Sequence, residues 1–140
     1  MNFSDRIVAM QQSPIRKLVP VAQEAKKKGK KVYHLNIGQP DIKTPDQFFD
    51  AIKNYKQDVL AYAPSQGIPE LIHSAMKYYE KYNIHFDEDE ILITNGGSEA
   101  LIFSLIAVCD HDDDVLVPEP FYTNYNGFGN MAGINVVPIT

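Results

Sequence analysis

The sequence predicts an α/β fold in which helices cover a parallel or mixed sheet. Residues 91–94 form a short β-branched run that ends in a glycine turn, and an almost unbroken apolar stretch follows up to Cys109. This is the pattern of a buried strand that leads into a buried helix. Further on, two apolar runs, residues 115–117 and residues 134–139, flank a helical segment. Strands that alternate with helices are typical of parallel sheets.

The composition is ordinary for one soluble globular domain, with 140 residues of which 44% are hydrophobic and 22% are charged. A net charge of -5 argues against nucleic acid and against an anionic membrane as partners. The single cysteine, Cys109, excludes an internal disulfide and a cysteine-based metal site. We expect neither a signal peptide nor a membrane span at the N-terminus, and therefore a cytoplasmic protein.

The N-terminal segment predicts an arm or a short helix over residues 1–13. A main helix then begins at Pro20, because proline fits the first turn of a helix but not its interior. This helix closes near Lys28, where Gly29 supplies the usual C-terminal residue. Five lysines surround Gly29, and we interpret them as the solvated end of this helix, where cations offset its dipole.

A strand and a second helix are predicted next. Residues 32–37 alternate loosely and predict a strand, and residues 38–41 are typical of a turn. Thr44 as the capping residue and Pro45 at the first helical position predict the start of a helix.

Residues 59–67 predict a loop that holds one notable aromatic residue, Tyr62. An amphipathic helix follows, with Pro69 in its first turn. Its apolar stripe consists of Ile68, Leu71, Ile72, Ala75, Met76 and Tyr79.

The C-terminal part predicts a strand over residues 115–117, a weak helix over residues 121–132 and a strand over residues 134–139. The helix is weak because Gly127 and Gly129 each cost about 1 kcal/mol relative to alanine. Three apolar strands are few for a parallel sheet with both faces covered. We therefore expect the chain to form part of a larger domain.

The glycine turn before the apolar helix is a candidate phosphate site. The first N–H groups of a helix lack intrahelical acceptors, and the helix dipole places positive charge there. Gly96 and Gly97 let the backbone approach a ligand, and Ser98 adds a hydroxyl donor. From these residues alone, a buried strand–helix unit whose glycines only make a tight turn is an equally good interpretation.

Five separated stretches resemble, in order and spacing, the N-terminal third of the class I/II aminotransferases, the aspartate-aminotransferase-like enzymes of fold type I. The stretches are SPIRKLVPVAQEAKKKG, LNIGQPD, YAPSQGIPEL, ITNGGSEAL and VPEPFYTNY. The resemblance implies the N-terminal part of the large pyridoxal-phosphate (PLP) domain, with a mixed, mostly parallel sheet and flanking helices, incomplete in this chain. We expect residues 1–30 to form an arm and the first helix, and residues 31–140 to belong to that truncated large domain.

The resemblance also implies roles for residues around pyridoxal 5′-phosphate. Gly96, Gly97 and Ser98 stand where the family holds the 5′-phosphate of the cofactor. Tyr122 stands where an aromatic ring stacks on the pyridine ring, although plain packing is the better interpretation without the family. Tyr62 matches the tyrosine that reaches across a homodimer interface to the cofactor phosphate of the neighbouring subunit.

On the substrate side, the resemblance places Gly38 near the substrate carboxylate and Ile15 near the mouth of the pocket. From the residues alone, they are an ordinary turn glycine and an ordinary core residue. Ile72 stands where many relatives carry an arginine after the motif PEL, and we expect it on the surface of its helix.

The activity implied by the resemblance is PLP-dependent transfer of an amino group between an amino acid and a 2-oxo acid. The family's Schiff-base lysine, the aspartate on the pyridine nitrogen and the arginine for the substrate carboxylate all lie beyond residue 140. We therefore expect no catalytic residue and no metal site in this chain, and an inactive piece when it stands alone.

Three alternatives share part of this pattern. Other PLP enzymes of fold type I, such as carbon–sulfur lyases and cyclopropane-forming synthases, have the same phosphate turn and tyrosine loop. A Rossmann-type nucleotide module is disfavoured because GGSEA lacks the G-x-G-x-x-G spacing. A non-catalytic interaction piece would dimerise through the Tyr62 loop and the N-terminal arm.

Overall fold

A computed structural model of the chain describes residues 2–10 and 14–140, and they form two compact units. The first unit takes in the residues before Leu35 and those from Thr94 onward. The second unit is Leu35–Ile93. The expected boundary between residues 30 and 31 stays a prediction.

The N-terminal part of the first unit is helical. It contains α1 (Asp5–Ala9), α2 (Pro14–Lys17) and α3 (Val19–Lys27). Helix α3 begins one residue before the predicted start and ends at Lys27. Gly29 follows two residues later, with a φ of +76°, the left-handed conformation that glycine favours. The lysines around Gly29 are exposed, as expected for a solvated helix end.

The C-terminal part of the first unit is a strand–helix–strand motif preceded by a helix. Its elements are α6 (Gly97–Val108), β1 (Asp114–Pro118), α7 (Asn124–Ala132) and β2 (Asn135–Ile139). The two strands pair in parallel, and Asp114 lies opposite Asn135. Helix α7 packs against α6 and β2. The predicted α/β class is confirmed.

Close packing of α7 on β2 depends on a glycine. Phe128 and Ile134 are buried, at 8% and 7% exposure. A methyl group built on Gly129 would lie 2.6 Å from Cγ2 of Val136, so no larger residue fits without movement. Gly129, which weakened the helix prediction, is therefore the residue that lets helix and strand approach.

Helix α6 differs from its prediction in one respect. The sequence predicts a helix covered on nearly all sides, but none of its described residues is buried and Val108 is 78% exposed. Part of the apolar surface of α6 is therefore not covered by α7. Cys109 at its C-terminal end is a free, half-buried cysteine.

Two predicted strands do not form. Residues 32–37 are irregular, with a turn at residues 35–36 rather than at 38–41. Residues 91–94 include an extended Ile91 but have no strand partner. Within the described chain, β1 and β2 are the strands that pair. Because a strand needs a neighbour to take its backbone hydrogen bonds, an apolar run alone does not make one.

The second unit contains α4 (Asp46–Lys53), α5 (Pro69–Glu80) and the short 3-10 helix Glu88–Glu90. Both predicted helices are confirmed, but Pro45, not Thr44, is the capping residue of α4. Lys43 pairs with Asp46 at 2.7 Å at the start of α4.

Ile72 on α5 is fully buried, at 2% exposure. The expectation that it lies on the helix surface is therefore wrong. Ile72 falls on the inner side of α5, together with the half-buried Ala75 and Met76. An isoleucine at this position supports the packing of the second unit, because it removes a large apolar side chain from water.

Across the described residues, the longest helices have 12 residues, and none is long and apolar enough to cross a bilayer.

Candidate functional site

The glycine turn at the start of α6 has a conformation that glycine favours. Gly96 caps the helix with φ +91° and ψ 168°, a backbone region that other residues adopt only with strain. Its N–H group donates to the carbonyl of Thr94 at 2.8 Å. The hydroxyl of Thr94 donates in turn to the carbonyl of Gly96 at 3.0 Å. Thr94 therefore closes the turn from its N-terminal side.

Glu99 closes the same turn from the helix side. Its Oε2 accepts the N–H of Asn95 at 2.5 Å, and its side chain is half-buried. A carboxylate in the first turn of a helix also complements the helix dipole. Because the contacts of Thr94 and Glu99 involve only residues 94–99, the turn is held by its own sequence.

The open side of this turn presents unused donors. A helix leaves the N–H groups of its first residues without intrahelical acceptors. In the described part of the chain, the backbone N–H groups of Gly97 and Ser98 donate to no backbone carbonyl. Ser98 is exposed, and a methyl group built on Gly96 or Gly97 would meet nothing within 4 Å. Two backbone N–H groups and one hydroxyl at the positive end of a helix fit an anionic oxygen group such as phosphate.

Tyr122 follows the carboxyl end of β1, the end at which open α/β sheets bind ligands. Its ring is 52% exposed. Its hydroxyl accepts a hydrogen bond from Nδ2 of Asn124 at 2.6 Å, and its ring meets that of Tyr125 edge-on at 6.3 Å. The tyrosine is therefore oriented by two contacts and keeps ring surface free for stacking. The ring of the neighbouring Phe121 also meets that of Tyr125, at 6.2 Å.

The candidate binding residues of the second unit are exposed to solvent. Tyr62 lies in the loop of residues 59–67 and is fully exposed. Gly38 lies in an irregular, exposed stretch, and a methyl group on it would meet nothing within 4 Å. Ile15 belongs to α2 of the first unit, but its side chain lies outside the described part of the structure.

The structure adds residues that the sequence analysis missed. Thr94 and Glu99 hold the glycine turn. A glutamate in the first turn after a helix cap is a known capping signal and could have identified Glu99. Gln66 bonds to backbone groups more than twenty residues away, and no local pattern predicts such bonds. Among the described residues, no group of His, Cys, Asp and Glu side chains could hold a metal ion.

Comparison with known proteins gives consistent results. The family model described as aminotransferase class I and II matches residues 30–140. The (5-formylfuran-3-yl)methyl phosphate transaminase of Methanocaldococcus jannaschii is 35% identical over 137 residues, covering 96% of this chain and 37% of that protein. This chain thus spans little more than a third of that relative's length.

Solved structures agree with this assignment. The aspartate aminotransferase of Thermotoga maritima superposes with a TM-score of 0.85 at 30% identity, over 99% of this chain and 38% of its own. The alanine aminotransferase of Pyrococcus furiosus superposes with a TM-score of 0.85 at 32% identity, over 98% of this chain and 36% of its own. The arrangement described above is therefore a part of a larger, known fold.

Proposed function

The chain belongs to the class I and II aminotransferases of fold type I, and from this membership we propose its activity and its cofactor contacts. It forms the N-terminal part of an enzyme that transfers an amino group between an amino acid and a 2-oxo acid. The family implies dependence on pyridoxal 5′-phosphate. When bound, this cofactor supplies an electron-withdrawing ring that lets the amino group move between carbon skeletons.

The observation that carries the proposal is the open turn at the start of α6. Gly97 and Ser98 offer two backbone N–H groups and a hydroxyl to an anion, and the turn is already closed by Thr94 and Glu99. In the proposed enzyme, these donors hold the 5′-phosphate of the cofactor. The phosphate lies beside Gly96, whose backbone has a positive φ. A preformed site of this kind loses little conformational entropy when the cofactor binds.

Tyr122 and Tyr62 take the roles that the family resemblance assigns them. Tyr122 stacks on the pyridine ring, and Asn124 fixes the direction of its hydroxyl. Tyr62 reaches the cofactor phosphate of a second copy in a homodimer, which is consistent with its full exposure. The proposed partners are amino acids and 2-oxo acids as substrates, together with a second subunit. We propose that the protein acts in the cytoplasm and binds neither nucleic acid nor a membrane.

Gly38 and Ile15 complete the proposal on the substrate side. The backbone at Gly38 is free of neighbouring atoms where a side chain would project, so a substrate carboxylate can approach it. Ile15 contributes to the mouth of the pocket.

The activity is tested with the full-length protein, an amino acid donor and a 2-oxo acid acceptor. We expect a new amino acid and a new 2-oxo acid in equal amounts, identified by mass spectrometry. Pyruvate together with ammonia from a sulfur-containing amino acid would instead indicate a carbon–sulfur lyase. Binding of NAD in preference to pyridoxal 5′-phosphate, measured by calorimetry, would contradict the cofactor assignment and favour a nucleotide-binding module.

A further inference from the structure

Gln66 joins two segments of the second unit by three hydrogen bonds. Its side-chain Nε2 donates to the carbonyl of Glu88 at 2.6 Å and to the carbonyl of Ile91 at 2.9 Å. Its backbone carbonyl accepts the N–H of Ile93 at 2.8 Å. The residue is half-buried, and its bond to Ile91 is partly shielded from competing water, whereas its bond to Glu88 is exposed.

Gly67 brings the same two segments into direct contact. Its φ of +125° lies in a region that glycine favours, and a methyl group on it would lie 2.5 Å from Cγ1 of Ile93. The N–H of Gly67 also donates to the carbonyl of Pro64 at 3.0 Å. The C-terminal base of the loop of residues 59–67 is therefore fixed to the segment of residues 88–93.

The remainder of this loop has much less support. Val59 and Leu60 are 71% and 83% exposed, and Tyr62 is fully exposed. In the described chain, no hydrogen bond of the Tyr62 side chain is found. The direction in which the loop presents Tyr62 is thus set at its base, four residues away.

We propose that Gln66 is a positioning residue for Tyr62. By holding the base of the loop to the carbonyls of Glu88 and Ile91, it keeps Tyr62 where a second subunit's cofactor phosphate can meet it. This inference rests on the proposed function. A primary amide suits the task because one nitrogen carries two N–H donors, and both have acceptors here. A binding side chain reaches its productive geometry only when neighbouring contacts support it.

The test uses the full-length protein freed of cofactor, with pyridoxamine 5′-phosphate and pyridoxamine as probes. Neither probe has an aldehyde, so neither forms adducts with surface lysines, and the ratio of their affinities reports on the phosphate. Gln66→Met keeps the length of the side chain and removes both donors. We expect it to weaken pyridoxamine 5′-phosphate about fivefold to tenfold, the effect of one or two hydrogen bonds, and to leave pyridoxamine within about twofold. Gln47→Met, at an exposed position of α4, should change neither affinity.

A double-mutant cycle separates positioning from general damage. If Gln66 acts through Tyr62, Gln66→Met has no further effect on pyridoxamine 5′-phosphate once Tyr62→Phe has removed the hydroxyl. An equal loss in both backgrounds, or an equal loss for both probes, overturns the inference while the cofactor assignment stands. A wild-type protein that binds both probes equally overturns the cofactor assignment and this inference together. If Gln66→Met fails to fold, Gln66→Glu, which keeps the shape but faces two carbonyls with a carboxylate, gives the same comparison.

Discussion

The two units of the chain hold their candidate residues in different ways. In the first unit, the turn of Gly96 and Ser98 is closed by Thr94 and Glu99, all within six residues, and stands beside a helix that packs on a strand–helix–strand motif. In the second unit, Tyr62 is fully exposed, and its loop is fastened at the base by Gln66.

This difference separates a preformed candidate site from a candidate residue that depends on a second surface. A turn fixed by local bonds needs little rearrangement to receive an anion, and among the described residues the N–H groups of Gly97 and Ser98 have no acceptor. The role proposed for the exposed Tyr62 instead requires a second subunit to meet it. Substitutions in each unit therefore separate local from long-range support.

The largest effect is expected at Ile72, the fully buried side chain of the second unit. Ile72→Ala should lower the free energy of unfolding by about 2–4 kcal/mol, the cost of a large-to-small change in a core. Leu71→Ala, one residue earlier and 45% exposed, should cost less than about 1 kcal/mol. Urea denaturation measures both. Equal losses of stability at the two positions would show that Ile72 is not buried more deeply than Leu71.

The first unit is tested by a pair of glycines on α7. Gly129→Ala should destabilise by about 1–3 kcal/mol, because the added methyl group overlaps Val136. Gly127→Ala meets nothing within 4 Å and should stabilise by about 0.5–1 kcal/mol through helix propensity. Thermal unfolding of both variants shows whether each substitution raises or lowers the stability. A stabilising Gly129→Ala would show that α7 and β2 are not closely packed.

Glu99 offers a smaller change within the glycine turn. Glu99→Ala removes the acceptor of the Asn95 N–H and should destabilise by about 1–2 kcal/mol, as for a hydrogen bond to a charged group near the surface. Glu99→Gln retains an acceptor oxygen and should cost less. Hydrogen exchange of the Asn95 amide measures the bond directly. Unchanged protection in Glu99→Ala would mean that Thr94 alone closes the turn.

The smallest effect is expected at Tyr78 on α5. A hydrogen bond with Tyr82 is the main cause that raises the pKa of Tyr78 above the ordinary 10.0, with burial and Tyr79 adding to it. Tyr78 and Tyr82 are more than half exposed, so this hydrogen bond contributes little to stability. That small contribution is present below pH 10.0 and is lost as pH rises through the raised pKa. In an alkaline absorbance titration, Tyr82→Phe should move the ionisation of Tyr78 to lower pH, with no measurable change in the unfolding midpoint at neutral pH. An unmoved ionisation would assign the raised pKa to the other causes.

Local features of this fold could be predicted from the sequence, and contacts over long distances could not. The helices α3, α4 and α5 and the strands β1 and β2 follow from periodicity and from proline and glycine positions. Residues 32–37 and 91–94 have the composition of strands, but strand formation depends on a partner that their own sequence does not specify. The bonds of Gln66 reach residues 22 and 25 positions away and leave no local pattern.

The candidate site follows the same division. The glycines and Ser98 suggest a phosphate turn from local sequence and helix physics, whereas the roles of Tyr62 and Tyr122 required resemblance to a family. Ile72 lies on the apolar stripe that periodicity predicts, and the wrong expectation of a surface position rested on the arginine that many relatives carry there. At this position the local pattern was a better guide than the family resemblance.

The measurement that tests the account most directly is the affinity of the cofactor-free, full-length protein for pyridoxamine 5′-phosphate in Ser98→Ala and Ser104→Ala. Ser104 lies on the same helix and donates to the carbonyl of Ala100 at 2.8 Å, so it is a matched control. If the turn holds the phosphate, Ser98→Ala weakens binding about tenfold, as for a lost hydrogen bond to a charged group, while Ser104→Ala leaves it unchanged. Equal affinities in both variants and the wild type would contradict a phosphate site at the start of α6.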